Sequence, residues 1–158
     1  MTIEGGYIPY GAFYNCNIAD VKIGDNVSAI GGYAFYSCEK LANLTIGSEV
    51  EYIGEYAFYM CTNLKKIDIP NSVTTIGNSA FCFTQIESIV ITVNVEKIEA
   101  DAFRNCSKLV SVVFRDTTTW YCSGKVVDVT NPTINAERLK KSIINSTEPT
   151  GRYNWTKE

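Results

Sequence analysis

The sequence contains no histidine among its 158 residues. Histidine is the commonest general base in enzymes, so its absence excludes Ser-His and Cys-His catalytic pairs. A Ser-Lys site or a pair of carboxylates stays open as a source of chemistry. The carboxylates, however, fall at separated polar positions that are typical of a solvated surface, at Asp20, Asp25, Glu49, Glu51 and Asp68. We therefore expect no enzyme activity.

Long apolar runs and blocks of like charge are also missing. No stretch approaches the roughly 20 apolar residues that a membrane-spanning helix needs, and residues 1–10 lack the basic and apolar regions of a signal peptide. The net charge of −3 is spread along the chain. We expect neither membrane insertion nor nucleic acid as a partner.

Familiar cofactor and metal motifs are absent as well. The glycine pairs Gly5-Gly6 and Gly31-Gly32 are not followed by the helix and lysine of a phosphate-binding loop. The chain has six cysteines but no C-x-x-C pair to begin a tetrahedral metal site. We expect no cofactor and no bound metal.

What the sequence does contain is a repeat. The dipeptide Ala-Phe recurs at successive steps of 22, 23, 23 and 22 residues, beginning at Ala12, Ala34, Ala57, Ala80 and Ala102. Three residues after each phenylalanine a shared position holds Cys16, Cys38, Cys61, Thr84 and Cys106. A fixed period of this length predicts stacked coils.

The apolar positions inside each repeat predict its local structure. An L-x-x-I-x-I triplet follows every Ala-Phe pair, as in Leu41, Leu44 and Ile46, and its last part predicts a short strand with alternate side chains inward. A V-x-x-I segment then turns the chain back, and we expect the glycines at 31, 54 and 77 to relieve backbone strain there. Glu99 interrupts that glycine pattern in the fourth turn. The Ala-Phe pairs should lie in short turns rather than full helices.

Each copy reduces to L-x-x-I-x-I-x-x-x-V-x-x-I-x-x-x-A-F-x-x-C, which resembles the BspA-type leucine-rich repeat of bacterial surface proteins over residues 8–114. The resemblance implies an α/β repeat fold: a leucine-rich-repeat solenoid with a short parallel sheet, mostly short strands and turns. We expect a solenoid of about five coils over residues 1–115, with an incomplete first coil, followed by a capping segment over residues 116–158 that contains a short helix.

The two ends of the repeat are predicted to differ. No polar or amphipathic segment covers the first coil, so an oligomer could form through that uncapped N-terminal coil. At the other end the cap leads from residue 116 through a threonine-rich bend into Trp120, and strands are expected over residues 125–130 and 151–155. A helix should start with Asn135 as its N-cap and run to about residue 145. Its buried face over the last coil should hold Ala136, Leu139 and Ile143, while Arg138, Lys140 and Lys141 point outward.

The repeated cysteines predict a buried ladder rather than reactive thiols. Cys16, Cys38 and Cys61 should stack about one strand spacing, roughly 5 Å, apart with parallel side chains, a poor geometry for disulfides. Cys82 and Cys122 fall outside the ladder, and reactivity at these two stays open. We expect all six thiols to be free.

Two surfaces are candidates for binding a partner. The first is the outward face of the stacked strands, which is polar in its early coils and apolar in the last two, where Val93 and Val110 lie nearby. Its members are Lys22, Thr45, Asp68, Val90 and Val113, with Asp20, Asn43, Lys66, Ser88 and Ser111 beside them. The alternatives for these valines are sheet-forming residues of no binding role or a contact with the C-terminal tail.

The second candidate is a cluster of tyrosines on the turning side, formed by Tyr33, Tyr36, Tyr52, Tyr56 and Tyr59. Aromatic residues are enriched in binding hot spots, but these could equally pack as a structural stripe. The resemblance implies a non-catalytic adhesion module, extracellular or on the cell surface. Its partners would be host extracellular-matrix or cell-surface proteins, including those of neighbouring cells. The alternative is an architectural spacer within a larger surface protein.

Overall fold

The computed structural model describes residues 1–116, 119–122, 125–127, 129–140 and 154–157. The chain forms a solenoid of stacked coils, which we number 1 to 5 by their Ala-Phe pairs, from Ala12-Phe13 to Ala102-Phe103. Thirteen short strands and one helix are present in the described residues: β1 Thr2–Ile3, β2 Gly6–Ile8, β3 Asp20–Ile23, β4 Val27–Ile30, β5 Asn43–Thr45, β6 Tyr52–Ile53, β7 Thr75–Ile76, β8 Ser88–Ile91, β9 Lys97–Ile98, β10 Ser111–Phe114, β11 Trp120–Cys122, β12 Lys125–Val127, α1 Pro132–Lys140 and β13 Trp155–Lys157.

The predicted I-x-I strands form the first wall of the solenoid. They pair in parallel as β1-β3-β5 and as β8-β10. In β3 the side chains of Val21 and Ile23 are buried and Lys22 is exposed. In coil 3 the same segment lies outside a regular strand, yet Ile67 and Ile69 are still buried. The predicted inward alternation is confirmed.

A second sheet forms another wall of the solenoid, where the sequence predicted only a turning segment. The V-x-x-I segments pair in parallel in the order β2-β4-β6-β7-β9, and β13, β11 and β12 extend this sheet. Several of these strands are only two residues long. Two residues are too few to show an alternation of apolar and polar side chains in the sequence. These strands form because the neighbouring coils supply their hydrogen bonds.

The Ala-Phe pairs lie in short turns, as predicted. Hydrogen bonds tie each turn to the next coil, for example from the Phe35 amide to the Ala57 carbonyl over 2.8 Å. The residues just before and two after each pair have left-handed backbone, including Ser37 at φ 55° and Met60 at φ 58°. This conformation is costly for residues other than glycine. The stacked hydrogen bonds must therefore hold it in place.

The role predicted for the glycines at 31, 54 and 77 was wrong. Left-handed backbone occurs elsewhere, at Gly11 among others. The three glycines are instead required because the preceding coil approaches so closely: a Cβ on Gly54 would lie 2.5 Å from the Gly32 nitrogen. In the next coil Glu99 takes this position, and its carboxylate accepts a hydrogen bond from the Asn78 amide at 3.0 Å.

Phenylalanine rings fill the interior as a continuous stack. Neighbouring rings from Phe13 to Phe103 have centroids 5.1 to 5.4 Å apart. Phe35, Phe58, Phe81 and Phe103 are fully buried, whereas Phe13, in coil 1, is half-buried. One coil thus completes the burial of the next, which makes stability cumulative along the solenoid.

The C-terminal end is built from antiparallel strands and the helix. Strand β13 pairs with β9 on one side and β11 on the other, and α1 packs beside β10. Asn135, predicted as the N-cap, lies inside the helix instead; its amide nitrogen donates to the carbonyls of Val112 and Val129. The N-cap is Asn131, whose side-chain oxygen accepts the Thr133 amide at 3.1 Å, with proline in the first helical position.

The predicted packing of this helix is confirmed in part. Ala136 and Leu139 are buried. The other predicted inward residue, Ile143, and the predicted end of the helix near residue 145 lie outside the described residues, as does Lys141. In the part of the chain that the structure describes, no helix has the length and apolar character needed to cross a membrane.

Candidate interaction surfaces

The outward face of the first wall is assembled as predicted. Lys22 lies opposite Thr45 in the register of β3 and β5, and Val90 lies opposite Val113 in β8 and β10. Asp68 is exposed in the coil between them. Two sheets rather than one therefore carry this face.

Polar contacts on this face are local and solvated. The amide of Asn43 donates to the Asp20 carboxylate at 2.6 Å. Lys66 and Asp68 pair at 3.1 Å, with side chains 78% and 85% exposed. Such exposed pairs contribute little to stability, which leaves both charges available to a partner.

The apolar end of this face is exposed in the described residues. Val93 and Val110 are 45% and 61% exposed, while Val113 is half-buried. The tail reaches the border of the patch, where the Lys157 ammonium donates to the Val93 carbonyl at 2.8 Å and pairs with Asp116 at 2.6 Å. The tail thus contacts the edge of the valine patch.

Six tyrosines on the turning side form two stacked rows, which we call the tyrosine surface. One row contains Tyr10, Tyr33 and Tyr56, with ring centroids 5.1 and 4.8 Å apart. The other contains Tyr14, Tyr36 and Tyr59, with both spacings 4.9 Å. The rows touch each other between Tyr33 and Tyr36 and between Tyr56 and Tyr59.

The membership of the tyrosine surface differs from the predicted cluster. Tyr52 lies on β6, outside both rows, and Tyr10 and Tyr14 were missed. A signal for Tyr14 was present, because it directly follows the phenylalanine of its pair, as Tyr36 does. Tyr10 lies one residue before Gly11, which is the coil 1 equivalent of Tyr33. Its ring reaches the row because it lies next to Gly32, and a repeat pattern does not reveal this contact.

Two of these tyrosines are held in a strained backbone conformation. Tyr33 and Tyr56 have φ angles of 57° and 53°. A bulky residue in left-handed backbone costs about 1–2 kcal/mol. The same slot holds Gly11, Ser79 and Asp101 in the other coils, so this position does not itself demand an aromatic side chain.

The electrostatic environment of the tyrosine surface disfavours negative charge. Burial raises the pKa of Tyr33, and the charges of its tyrosine neighbours and of Glu55 add to the shift. Burial likewise raises the pKa of Tyr59. These phenols remain protonated and neutral at physiological pH.

The cysteine ladder is buried, as predicted, except at its open end. Cys38, Cys61 and Cys106 are inaccessible to solvent and Cys16 is half-buried. Burial raises the pKa of Cys106 to about 11 and that of Cys82 to about 12. These thiols are protonated at neutral pH and are poor nucleophiles. The side chain of Cys122 lies outside the described residues, and the five other cysteines are free.

Comparisons with known proteins identify solved structures with the same architecture. The chain is 34% identical to a leucine-rich repeat protein from Bacteroides ovatus, with a TM-score of 0.64, over 70% of this chain and 28% of that one. It is 32% identical to a T. pallidum leucine-rich repeat protein, with a TM-score of 0.66, over 67% of this chain and 50% of that one. The chain therefore spans half or less of these relatives. No curated protein matches it.

The repeat itself is matched at the level of the family. The sequence model described as BspA type Leucine rich repeat region matches residues 6–122 in six copies, one more than the number of Ala-Phe pairs. This match covers well over half of the chain and agrees with the stacked coils and their buried positions. The chain belongs to the BspA-type leucine-rich repeat family.

Proposed function

We propose that this chain is a non-catalytic protein-binding module of a bacterial cell-surface protein, and that the tyrosine surface is its principal contact. The observation that carries this proposal is the pair of stacked tyrosine rows across coils 1 to 3. In coil 1 Tyr10 and Tyr14 are 69% and 54% exposed. Tyrosine is enriched in binding hot spots, because it offers a large contact area with little loss of side-chain entropy.

Backbone strain supports a binding role over a purely structural one. Tyr33 and Tyr56 occupy left-handed positions at which other coils use glycine, serine or aspartate. A residue that destabilises the fold at an accessible position is a candidate for function. The stacking of the rings offsets part of this cost, and a bound partner would offset the rest.

The outward face of the first wall is a second contact in this proposal. Lys22, Thr45, Lys66 and Asp68 offer solvated polar groups, and Val90 with Val113 offers an apolar end. A partner lying along the solenoid would meet polar and then apolar side chains.

The proposed location and partner rest on family membership. BspA-type leucine-rich repeats are typical of bacterial surface proteins, so we propose that the chain is displayed outside the cell. Its partner there would be a host matrix protein or a protein of a neighbouring cell. The absence of histidine from the whole sequence agrees with a role without catalysis.

Binding of the purified chain to a panel of immobilised extracellular-matrix proteins tests this proposal. We expect saturable binding to at least one of them, and at least a tenfold loss of affinity in the double variant Tyr10→Ser/Tyr14→Ser, since hot-spot residues each contribute about 2 kcal/mol or more. The matched control is Tyr7→Ser, because Tyr7 is 66% exposed but lies on β2, outside the rows. Equal losses in both variants would contradict the assignment of the surface.

An architectural spacer is the alternative function. The observation that favours it is the continuous ladder of hydrogen bonds between coils, which suits a stiff extension of a larger protein. Absence of saturable binding to every matrix protein tested, by a chain shown to be folded, would favour the spacer.

A further inference from the structure

Phe83 is the exposed member of the seven phenylalanines, all of which lie within the described residues; its side chain is 39% exposed. It lies in coil 4, one residue after Cys82, which occupies the slot that Tyr59 fills in coil 3. The rings of Tyr59 and Phe83 meet edge to face, with centroids 5.5 Å apart. Phe83 therefore extends the tyrosine surface by one coil.

The backbone at Phe83 is strained for a side chain of this size. Its φ is 63°, and the equivalent slot of the other coils is also left-handed and holds Asn15, Ser37, Met60 and Asn105. Asparagine tolerates this conformation better than a bulky residue does. Coils 3 and 4 thus place two large apolar residues, Met60 and Phe83, in adjacent equivalent positions that suit a small polar residue. Strain of this kind at an accessible position points to a function.

Tyr59, Met60 and Phe83 form what we call the Phe83 patch, and this patch lies within the stack of coils. The Met60 amide donates to the Cys82 carbonyl at 3.0 Å, and the Phe83 amide donates to the Arg104 carbonyl at 3.0 Å. Hydrogen bonds therefore hold the patch to the coils that follow it. The exposure of Phe83 is a property of coils 3 to 5.

The charge beside the Phe83 patch is positive. The Ala-Phe turns of coils 3 to 5, taken as residues 57–64, 80–86 and 102–109, contain two charged residues, and both are cations, Arg104 and Lys108. Both are exposed and lie in coil 5, next to the coil that carries the phenylalanine. An acidic partner would therefore meet complementary charge at this border of the patch.

Arg104 keeps hydrogen-bonding capacity for a partner. Its guanidinium lies 3.7 Å from the Asp101 carboxylate, and its side chain is 45% exposed. Burial raises the pKa of Tyr59 and the positive charge of Arg104 opposes this shift, so the guanidinium lies within electrostatic reach of the patch. A guanidinium has five N–H donors in one plane. Two of them can bind a partner carboxylate in parallel.

We propose that the Phe83 patch binds an acidic segment of the partner protein that carries a large apolar side chain next to a carboxylate. The apolar side chain packs on Phe83 and Met60 beside Tyr59, and the carboxylate pairs with Arg104. Aromatic residues and methionine both suit such contacts, because they offer large apolar surfaces. This inference rests on the proposed protein-binding function and specifies the chemistry of the partner.

Titration of a fluorescein-labelled peptide of alternating phenylalanine and glutamate with the full chain tests the patch. One control peptide has glutamine in place of glutamate, and the other has serine in place of phenylalanine. We expect the parent peptide to bind about threefold to fivefold tighter than the glutamine peptide and about tenfold tighter than the serine peptide. Equal affinity for the glutamate and glutamine peptides, or no binding of any peptide at millimolar protein, would overturn the proposal.

Three variants assign the binding to the patch. Phe83→Asn should weaken binding of the parent peptide about tenfold and should remain folded, because asparagine already fills this slot in coils 1 and 5. Arg104→Gln should weaken it about threefold to fivefold.

The matched control for charge is Arg115→Gln, because Arg115 is exposed just after β10, outside the Ala-Phe turns. This variant should change binding less than twofold. Thermal unfolding and circular dichroism would first establish that each variant is folded. Unchanged binding in Phe83→Asn, or equal effects of Arg104→Gln and Arg115→Gln, would overturn the proposal.

Failure of this inference can be told apart from failure of the proposed function. Matrix-protein binding that depends on Tyr10 and Tyr14, without binding of the phenylalanine-glutamate peptide, overturns only the Phe83 patch. Peptide binding that is sensitive to Phe83→Asn and Arg104→Gln supports the patch even where none of the matrix proteins tested binds, since it identifies the chemistry of a partner outside that panel.

Discussion

The Cys61 thiol donates a hydrogen bond to the Phe35 carbonyl oxygen over 3.2 Å, joining coil 3 to coil 2. The same bond recurs from Cys38 to Phe13 and from Cys106 to Phe81. Cysteine in this position is thus a small buried donor that links adjacent coils. In coil 4 the hydroxyl of Thr84 bonds instead to the Phe81 carbonyl of its own coil.

Burial of these thiols predicts a loss of stability in alkali. Burial raises the pKa of Cys106 from about 9 to about 11. A thiol whose pKa is higher in the folded state stabilises the fold fully below pH 9, and this contribution is lost as the pH rises through 9 toward 11. We expect the free energy of unfolding to fall by about 1 kcal/mol from pH 8 to pH 10 through the titration of the Cys106 thiol alone. Urea denaturation at the two pH values measures this.

The variant Cys106→Ala isolates that contribution from other alkaline titrations. It should be less stable at pH 8, because it creates a small cavity, but its stability should fall less steeply toward pH 10. Identical pH slopes in the variant and the parent chain would contradict the prediction.

Close approach of the coils predicts that Gly54 tolerates no side chain. A Cβ there would lie 2.5 Å from one backbone nitrogen and 2.6 Å from a backbone carbon, so the coils would have to separate. We expect Gly54→Ala to lower the free energy of unfolding by about 3 kcal/mol or more. Gly5→Ala is the comparison, since Gly5 has open space but a φ of 73°, and it should cost only about 1 kcal/mol. Similar costs would show that backbone conformation, not contact between coils, dominates.

Left-handed backbone predicts a stabilising substitution. Ser37 has a φ of 55°, so Ser37→Gly should raise the free energy of unfolding by up to about 1 kcal/mol. Ser107→Gly is the control, because Ser107 is exposed and is not among the left-handed residues; it should lower stability by about 0.5 kcal/mol. Chemical denaturation would reveal the opposite signs. A loss of stability in both variants would contradict the strain argument.

Asn135 is predicted to hold the C-terminal end against coil 5. Its buried amide donates to the carbonyls of Val112 and Val129 at 3.2 and 2.8 Å. Asn135→Leu would leave both carbonyls without this donor, and we expect a loss of about 2–3 kcal/mol. Trp120 and Trp155 are buried nearby in the C-terminal strands, so their fluorescence should shift to the red at lower urea than in the parent chain. Thr133→Ala, on the exposed side of α1, should leave the transition unchanged.

The repeat period carried the prediction of stacked coils because each apolar position recurs in the same environment. Ile23 and Ile69, separated by two coils, are both buried in the first wall, as the spacing predicts. The same logic located Lys22 and Val90 on the outward face. The helix boundary was placed wrongly because Asn135 satisfies a capping pattern, while Asn131 before Pro132 carries the stronger signal.

The sequence by itself determined which side chains point inward and how often the chain turns, because burial of apolar groups at a constant interval admits one arrangement of coils. Only the tertiary structure decided how the coils meet. The second sheet, the closeness that requires Gly54 and the contact of Tyr10 with Tyr33 all depend on residues more than 20 positions apart. Such contacts arise from stacking, since neighbouring coils supply the hydrogen bonds and packing that no single repeat contains.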